Sequence, residues 1–361
     1  MNASDTLLAT ARSGDELAFG RLVEPHRREL QAHCYRMLGS LHDSEDALQD
    51  ALLRAWRALP RFEGRSALRP WLYKIATNTC LDAIAKRPKR ILPLDHGPPT
   101  DAAPGEPLAE SVWIEPYPDD KLGLEDGYAA PEARYEQREG VELAFVAALA
   151  HLPANQRAAL ILREVLGFSA QEVADTLETS VVSVNSALQR ARKTIDERAP
   201  ERSQQATLRA LGDDRIRELV EGYMDAMQRG DVEAVVAMLA EDAAWAMPPL
   251  ATWYRGHESL RLFLANGPLS GEWRWRHLPA QANGQPAIGA YTWQPDEQCY
   301  RPFALDVLTL HGAEIHEITS FITRSGEGLG PDEIAHFPSQ PTDPSTVGAM
   351  FEQFGLPGRL D

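Results

Sequence analysis

Hydrophobic positions recur every three or four residues from Asp15 to Arg90, with few turn signals apart from Gly39-Ser40 and the passage "LPRFEGRS" at 59–66. That period predicts an all-helical block. A second block of helical period runs from Tyr135 to Glu197. Between them, prolines from Pro93 to Pro131 stand among carboxylates, a composition that predicts an extended linker rather than a core. After "ERSQQATLRALGDD" the pattern changes. Two helices are expected near 213–240, and then "GEWRWRHL", "AIGAYTWQ", "FALDVLTL" and "EIHEITSFIT" alternate in the manner of strands. The expected organisation is a helical module at 1–92, an acidic proline-rich linker at 93–134, a second helical module at 135–200, a short linker at 201–212, an α+β domain at 213–330 and a tail at 331–361. The tail retains "MFEQFGLP", so its end is expected to dock.

The second helical block carries the most directive local pattern. Ser169 and Glu172 form an S-x-x-E capping box ahead of a short helix that turns Val173, Ala174 and Leu177 inward. A turn follows at Glu178-Thr179, where a left-handed backbone would favour Gly. The next helix opens after Ser180 and buries Val184, Leu188, Ala191 and Ile195, leaving Ser183, Asn185, Ser186, Gln189, Arg190 and Lys193 on its outer face. A short helix, a tight turn and a second helix with a hydrogen-bonding outer face suit major-groove reading of DNA. An ordinary helical hairpin with a solvated face meets the same pattern.

Two stretches of the first block also hold more than a core requires. In "DSEDALQDALLRAWRALPRF", Asp43, Glu45, Asp46 and Asp50 sit in the opening turns, where the helix dipole favours anions, and Leu48, Leu52, Ala55 and Leu59 form the inward face. Leu53, Trp56, Gln49 and Asp46 then make a mixed apolar and acidic surface fit for a partner helix, or merely a solvated one. "LRPWLYKIATNTCLDAIAKRPKR", 68–90, reads as one amphipathic helix in which Leu68, Leu72, Ile75, Thr79 and Ala83 satisfy the core. Trp71, Lys74 and Asn78 remain on a separate stripe beside the loop "FEGRS", in which Arg65 and Ser66 offer donors. An aromatic ring, an amide and cations around a loop suit single-stranded DNA, by stacking and by holding an extruded base. Simple packing of Trp71 on the preceding helices is the alternative.

The net charge of −17 argues against nucleic-acid binding until it is resolved along the chain. Residues 51–90 hold ten Lys/Arg against two Asp/Glu, and 91–142 hold three against thirteen, so a locally basic module precedes an acidic connector. Cys34, Cys80 and Cys299 are scattered, without a CxxC, which points to buried thiols and to neither a disulfide framework nor a metal site. No apolar run approaches the roughly 20 residues of a membrane helix and the N-terminus lacks a signal-peptide pattern, so a cytoplasmic location is expected, without membrane or cofactor.

On these residues the chain resembles the extracytoplasmic-function sigma factors of the sigma-70 superfamily. "DSEDALQDALLRAWRALPRFEGRSALRPWLYKIATNTCLD" is similar to their second conserved region, and 141–196, with "LPANQRAALILREVLGFSAQEVADTL" and "VNSALQRAR", to their fourth. The resemblance implies two all-α sigma domains, a region 2 helical bundle and a region 4 helix-turn-helix. It implies that Asp46, Gln49, Asp50 and Trp56 dock on the β′ clamp helices of core RNA polymerase, and that the β flap is a further contact. Glu63, Arg65, Ser66, Trp71, Lys74 and Asn78 would open and hold the −10 element, and the helix from Val181 to Lys193 would read the −35 element of promoter DNA.

Nothing after about residue 200 is needed for that task. Residues 213–330 resemble the SnoaL-like domain, a curved sheet wrapped on helices into an α+β cone whose mouth suits a small molecule. Trp245, Tyr254, His257, Phe263, Trp275 and Asp306 are the expected pocket residues, with Trp253, Trp273, Tyr291 and Phe303 as further candidates, and about half of the eight aromatic residues in the two sets are expected to face the cavity. Some relatives with this cone are enzymes using Asp or His as general acid or base, for which Asp306 and His257 would qualify. Without an identifiable acid/base pair a regulatory, non-enzymatic domain is expected. His311 and His316 flank an expected hairpin and lack metal-site spacing. The competing readings are a free-standing helix-turn-helix regulator with a ligand-sensing domain, and a SnoaL-type enzyme with a helical appendage.

Overall fold

The computed structural model describes residues 3–62, 67–102, 104, 108, 112–122, 138–200, 202–322 and 344–361. The chain divides into two compact units, Met1–Arg90 with Asp120–Glu201, and Ile91–Asp119 with Arg202–Asp361.

The first unit is helical: α1 (Ala3–Arg12), α2 (Glu16–Leu38), α3 (Leu41–Ala58), α4 (Leu68–Ile84), α5 (Leu143–Ala150), α6 (Ala154–Leu160), α7 (Ala170–Thr176) and α8 (Val181–Arg198). Side chains with a short oxygen start several of these helices. Asp15 accepts from the Ala18 amide and Ser40 from the Asp43 amide. Gly39 closes α2 with a left-handed φ of 70°, so α3 turns back at once. The two helical blocks share one core, in which Leu30, Cys34, Leu72 and Tyr73 meet Leu160, Phe168, Val173 and Leu188. Arg157 locks this core from inside: buried, it donates to the Met37 and Ala150 carbonyls at 2.5 and 3.0 Å. Burial pulls its pKa down to about 10.

The expected helix over 68–90 stops at Ile84. Pro88 disfavours helical backbone in the residue before it, and the basic residues beyond the helix take another partner. Arg90 and Arg87 both pair with Asp43 in the first turn of α3, Arg90 at 2.8 Å.

The second unit contains α9 (Gln204–Leu211), α10 (Asp213–Arg229), α11 (Val232–Val236), β1 (Leu239–Ala246), β2 (Trp253–Arg255), α12 (His257–Asn266), β3 (Trp275–Ala282), β4 (Gln285–Gln294), β5 (Cys299–His311), β6 (Glu314–Ile322) and α13 (Pro344–Gln353). The strands form one sheet in the order β2-β1-β6-β5-β4-β3, antiparallel except for β1 against β6. Asn283 and Gly284 make the β3–β4 turn with φ of 57° and 69°, the positive pair a tight hairpin needs. On one sheet face Leu219, Tyr223 and Met227 of α10 and Leu260 and Leu264 of α12 join Trp245, Ile288 and Leu308 in a core.

Of the extended linker expected at 93–134, the described residues up to Asp119, with Ile91 and Leu92 ahead of them, belong to the second unit and several are bound to this sheet. Trp113, Ile114 and Tyr117 are buried, and Ile91 bridges Trp113 in parallel. The strap takes its backbone partners from the sheet: Tyr117 and Asn283 exchange two bonds, at 2.9 and 2.8 Å, and the Gly284 amide donates to Asp119 at 2.7 Å. Near the opposite edge, Thr100 and Leu108 donate to the Trp253 and Pro249 carbonyls. Three large apolar residues spaced among the prolines supply the burial that proline and charge content conceals. The tail also docks. Phe351 and Leu356 pack on Gly289, and Tyr300 and Leu360 exchange backbone bonds at 2.8 and 3.0 Å.

Candidate functional site

The helix-turn-helix is built by its caps. The Glu172 amide donates to Ser169 Oγ at 3.2 Å and the Ser169 amide to Glu172 Oε2 at 2.8 Å, bonds that hold the Glu172 carboxyl below its ordinary range. Glu178 turns the chain with a left-handed φ of 51°, and Ser180 caps α8 by accepting from the Ser183 amide. Val184, Leu188 and Ala191 are buried, while Ser183, Asn185, Gln189, Arg190 and Lys193 are exposed and Ser186 is half-buried. The predicted reading face is therefore presented as one strip along α8. Arg192, beside this strip, pairs with Glu164 at 2.6 Å.

On α3, Asp46, Gln49 and Asp50 are exposed and Trp56 is half-buried against the Phe19 ring, at 5.1 Å between centroids. Beside them runs a groove lined by Arg27, Arg28, Gln31, Glu45 and Gln49, with Lys121 across it, bonded to Glu45 at 2.6 Å. On α4, Trp71 packs against Phe62 with the rings tilted by 38° and 4.7 Å between centroids, and Lys74 and Asn78 are half-buried. Lys74 is engaged by the helix-turn-helix: Nζ donates to the Asp175 carbonyl at 3.0 Å and pairs with Glu178 at 3.2 Å. Glu63, Arg65 and Ser66 lie outside the described residues.

α4 buries more than its predicted stripe. Leu72 and Thr79 are buried as expected, but Tyr73, Ala76, Thr77 and Cys80 are also buried, because α2 covers one face and α6 and α7 the other. His33 on α2 shares a 2.9 Å hydrogen bond with Thr77, and burial lowers its pKa to about 3, so it is neutral.

The second unit holds a half-open cavity of about 150 Å³ between the sheet and α10 and α12. Trp245, Phe263, Trp275 and Asp306 line it, together with Trp273 and Phe303. Tyr254 and His257 do not. Tyr254, on edge strand β2, stacks behind Phe263 and donates its hydroxyl to the Ala102 carbonyl at 3.0 Å, while His257 is bound to the Leu239 carbonyl at 3.0 Å. Trp253 and Tyr291 also face elsewhere, bonded to the Gly97 and Pro357 carbonyls.

Asp306 is buried at the cavity wall. Tyr223 donates its hydroxyl to Asp306 Oδ2 at 3.2 Å, Ser320 also hydrogen-bonds the carboxyl, and Trp245 Nε1 donates to Ser320 Oγ at 2.9 Å. Burial outweighs these donors and pushes the Asp306 pKa up to about 6. Sequence reasoning missed His277 and Ser320. The signal was the alternation itself, since Trp275-x-His277 places the histidine on the same sheet face as a recognised pocket residue. Among the described residues no group of three His, Cys, Asp or Glu side chains is arranged to hold a metal, and no helix is long and apolar enough to cross a membrane.

Comparison with known proteins agrees with these features. Residues 22–90 match the model of sigma-70 region 2, residues 142–195 that of sigma-70 region 4, and residues 220–319 that of the SnoaL-like domain. The chain is 41% identical over 317 residues, 87% of its length and 83% of the relative's, to the ECF RNA polymerase sigma factor SigG of Mycobacterium tuberculosis. It is 30% identical over 190 residues, 53% of its length and 91% of the relative's, to the ECF RNA polymerase sigma-E factor of Escherichia coli. In fold it is similar to the crystal structure of the M. tuberculosis extracytoplasmic function sigma factor SigJ, with a TM-score of 0.52 and 22% identity over 87% of this chain and 97% of that one.

Proposed function

Because the chain belongs to the extracytoplasmic-function sigma factors and directs promoter-specific transcription initiation, we propose specific surfaces for that task. It binds core RNA polymerase and promoter DNA. Asp46, Gln49, Asp50 and Trp56 on α3 form the docking face for the β′ clamp helices, and region 4 meets the β flap. Trp71, Lys74 and Asn78, with Glu63, Arg65 and Ser66 of the preceding loop, open and hold the −10 element. Ser183, Asn185, Ser186, Gln189, Arg190 and Lys193 read the −35 element. The observation that carries this reading is the exposed polar strip of α8, backed by a capped α7. Arg190 and Lys193 hold the phosphates, and Asn185 and Gln189 supply the donors and acceptors that distinguish base edges.

The α+β unit acts as a regulator in cis and not as an enzyme, and the protein works in the cytoplasm, where polymerase and promoter meet. Run-off transcription with purified core polymerase tests this, comparing the full chain with one truncated after Ala199. The truncated form should differ in transcript yield, and promoter binding should require core enzyme. Equal yields remove the cis control. Tight operator-like binding without polymerase replaces the sigma mechanism with that of a free-standing regulator.

A further inference from the structure

A buried ring in the second unit has no hydrogen-bond partner among the described residues. His277 is 6% exposed, and neither Nδ1 nor Nε2 has a hydrogen-bond partner, yet its side chain lines the cavity. An imidazole in that position forfeits its hydration without compensation. Burial lowers its pKa to about 4, so at neutral pH the ring presents one N–H donor and one bare acceptor.

The rest of the cavity explains what would pair with it. On β1, β3, β5 and β6 the residues at every second position, Trp245, Trp275 with His277, Asp306 and Ser320, share the concave face. His277 on β3 stands opposite Ala304 on β5, through Ala290 of β4, and Asp306 lies two residues further along β5, so the two backbones are about 12 Å apart on the same sheet face. Aromatic rings fill the space around the two. Trp273 and Trp275 stack at 5.5 Å, and Phe303 meets both edge-on at 5.6 and 5.3 Å. An ionised carboxylate has about four acceptor positions, of which Tyr223 and Ser320 use two. Among the described residues neither Lys nor Arg lines the cavity, so none of them offers an anion a counter-charge. A cation would surrender its own hydration in an apolar enclosure to meet a carboxyl that is already hydrogen-bonded.

We propose that this cavity binds an uncharged, single-ring molecule carrying oxygen substituents at opposite ends, one hydrogen-bonded to Asp306 and the other to His277. A volume of about 150 Å³ is that of a cavity known to take one benzene-sized ring. The apolar walls supply the attraction and the two polar groups set the orientation. Binding here is a property of the second unit, and rests on nothing assigned to the DNA-reading helices.

The test is titration of the full-length protein with 1,4-cyclohexanediol, followed by tryptophan fluorescence, with cyclohexylammonium and cyclohexanecarboxylate as charged counterparts. The diol should bind saturably and each charged analogue about tenfold more weakly or worse. His277→Leu should weaken the diol by about fivefold while leaving the unfolding midpoint unchanged or raised, since it removes a buried group that lacks partners. Ala290→Val, which narrows the cavity from β4 beside His277 while leaving both polar groups in the chain, should weaken the diol as well. Undiminished diol binding by His277→Leu, a charged analogue binding as well as the diol, or no saturable binding of the diol to the wild-type chain would each overturn the assignment. Run-off transcription on the same samples separates this result from the promoter-reading proposal, because loss of diol binding with intact promoter use removes only the ligand site.

Discussion

Asp306 and His277 pull the acid stability of the second unit in opposite directions. Asp306 has a folded-state pKa of about 6 against an ordinary 3.8, so its contribution is fully present below 3.8 and disappears as the pH rises through 6. His277 falls from 6.5 to about 4, so its contribution is present above 6.5 and disappears as the pH drops through 4. Each amounts to on the order of 3 kcal/mol, and between pH 4 and 6 they largely cancel. Asp306→Asn should therefore make stability fall more steeply on acidification from pH 6 to 4, and His277→Leu should make it rise, both read by urea denaturation across that range. The sequence alone marked Asp306 but not His277, and it placed Tyr254 and His257 in the pocket wrongly. An aromatic or imidazole side chain announces its type, whereas its direction depends on which carbonyl it finds. Glu178 is the opposite case, since the sequence marked it as a position suited to Gly and its φ is 51°. Glu178→Gly should stabilise the first unit by about 0.5–1 kcal/mol, because relief of the left-handed backbone exceeds an exposed pairing with Lys74.

Among whole elements, those with strong local signals were legible. The capping box, the α7 turn and the buried face of α8 follow from Ser169, Glu172, Val184, Leu188 and Ala191, and each of these residues stands where its type predicts. The second face of α4 was not legible, because Ala76, Thr77 and Cys80 are small and carry no hydrophobic signature of their own. They are buried because other helices approach closely, which small residues permit. The strap at 91–119 was hidden for a related reason: its few apolar side chains are diluted by proline and charge, and its partners are more than a hundred residues away. The tail shows the same dependence on a remote small residue. A Cβ on Gly289 would lie 2.6 Å from Leu356 and 3.0 Å from Phe351. Gly289→Val should dislodge α13 from β4 and cost about 1–3 kcal/mol, with faster amide exchange at 344–361 as the readout.

For the molecule as a transcription factor, the informative feature is the single core shared by region 2 and region 4. Arg157 bonds to Met37, and Arg36 donates to the Gly140 carbonyl at 3.0 Å, so the two regions are joined by buried polar contacts as well as by apolar packing. Lys74, assigned to the −10 element, is held by the turn of the −35 reader. On the proposed assignment, engaging both promoter elements requires these contacts to part. Joining Lys74→Cys to Glu178→Cys with a short bismaleimide should reduce run-off transcription by at least about tenfold relative to the same variant left unjoined, a barrier increase of roughly 1.4 kcal/mol or more. The native cysteines Cys34, Cys80 and Cys299 are buried and do not compete for the reagent. Transcription unaffected by the staple would show that the closed pairing is compatible with promoter opening.

The strap on the α+β sheet also determines the reach of the chain. Its residues 91–119 are the only covalent path from the end of region 2 toward region 4, and stretched out they would span about 100 Å. While Tyr117 and Asp119 are clasped by the Asn283–Gly284 hairpin, that slack is wound onto a spool and the usable leash is much shorter. Loosening this turn, together with the Thr100 and Leu108 bonds nearer the other edge, lengthens the tether between the two sigma regions without altering either of them.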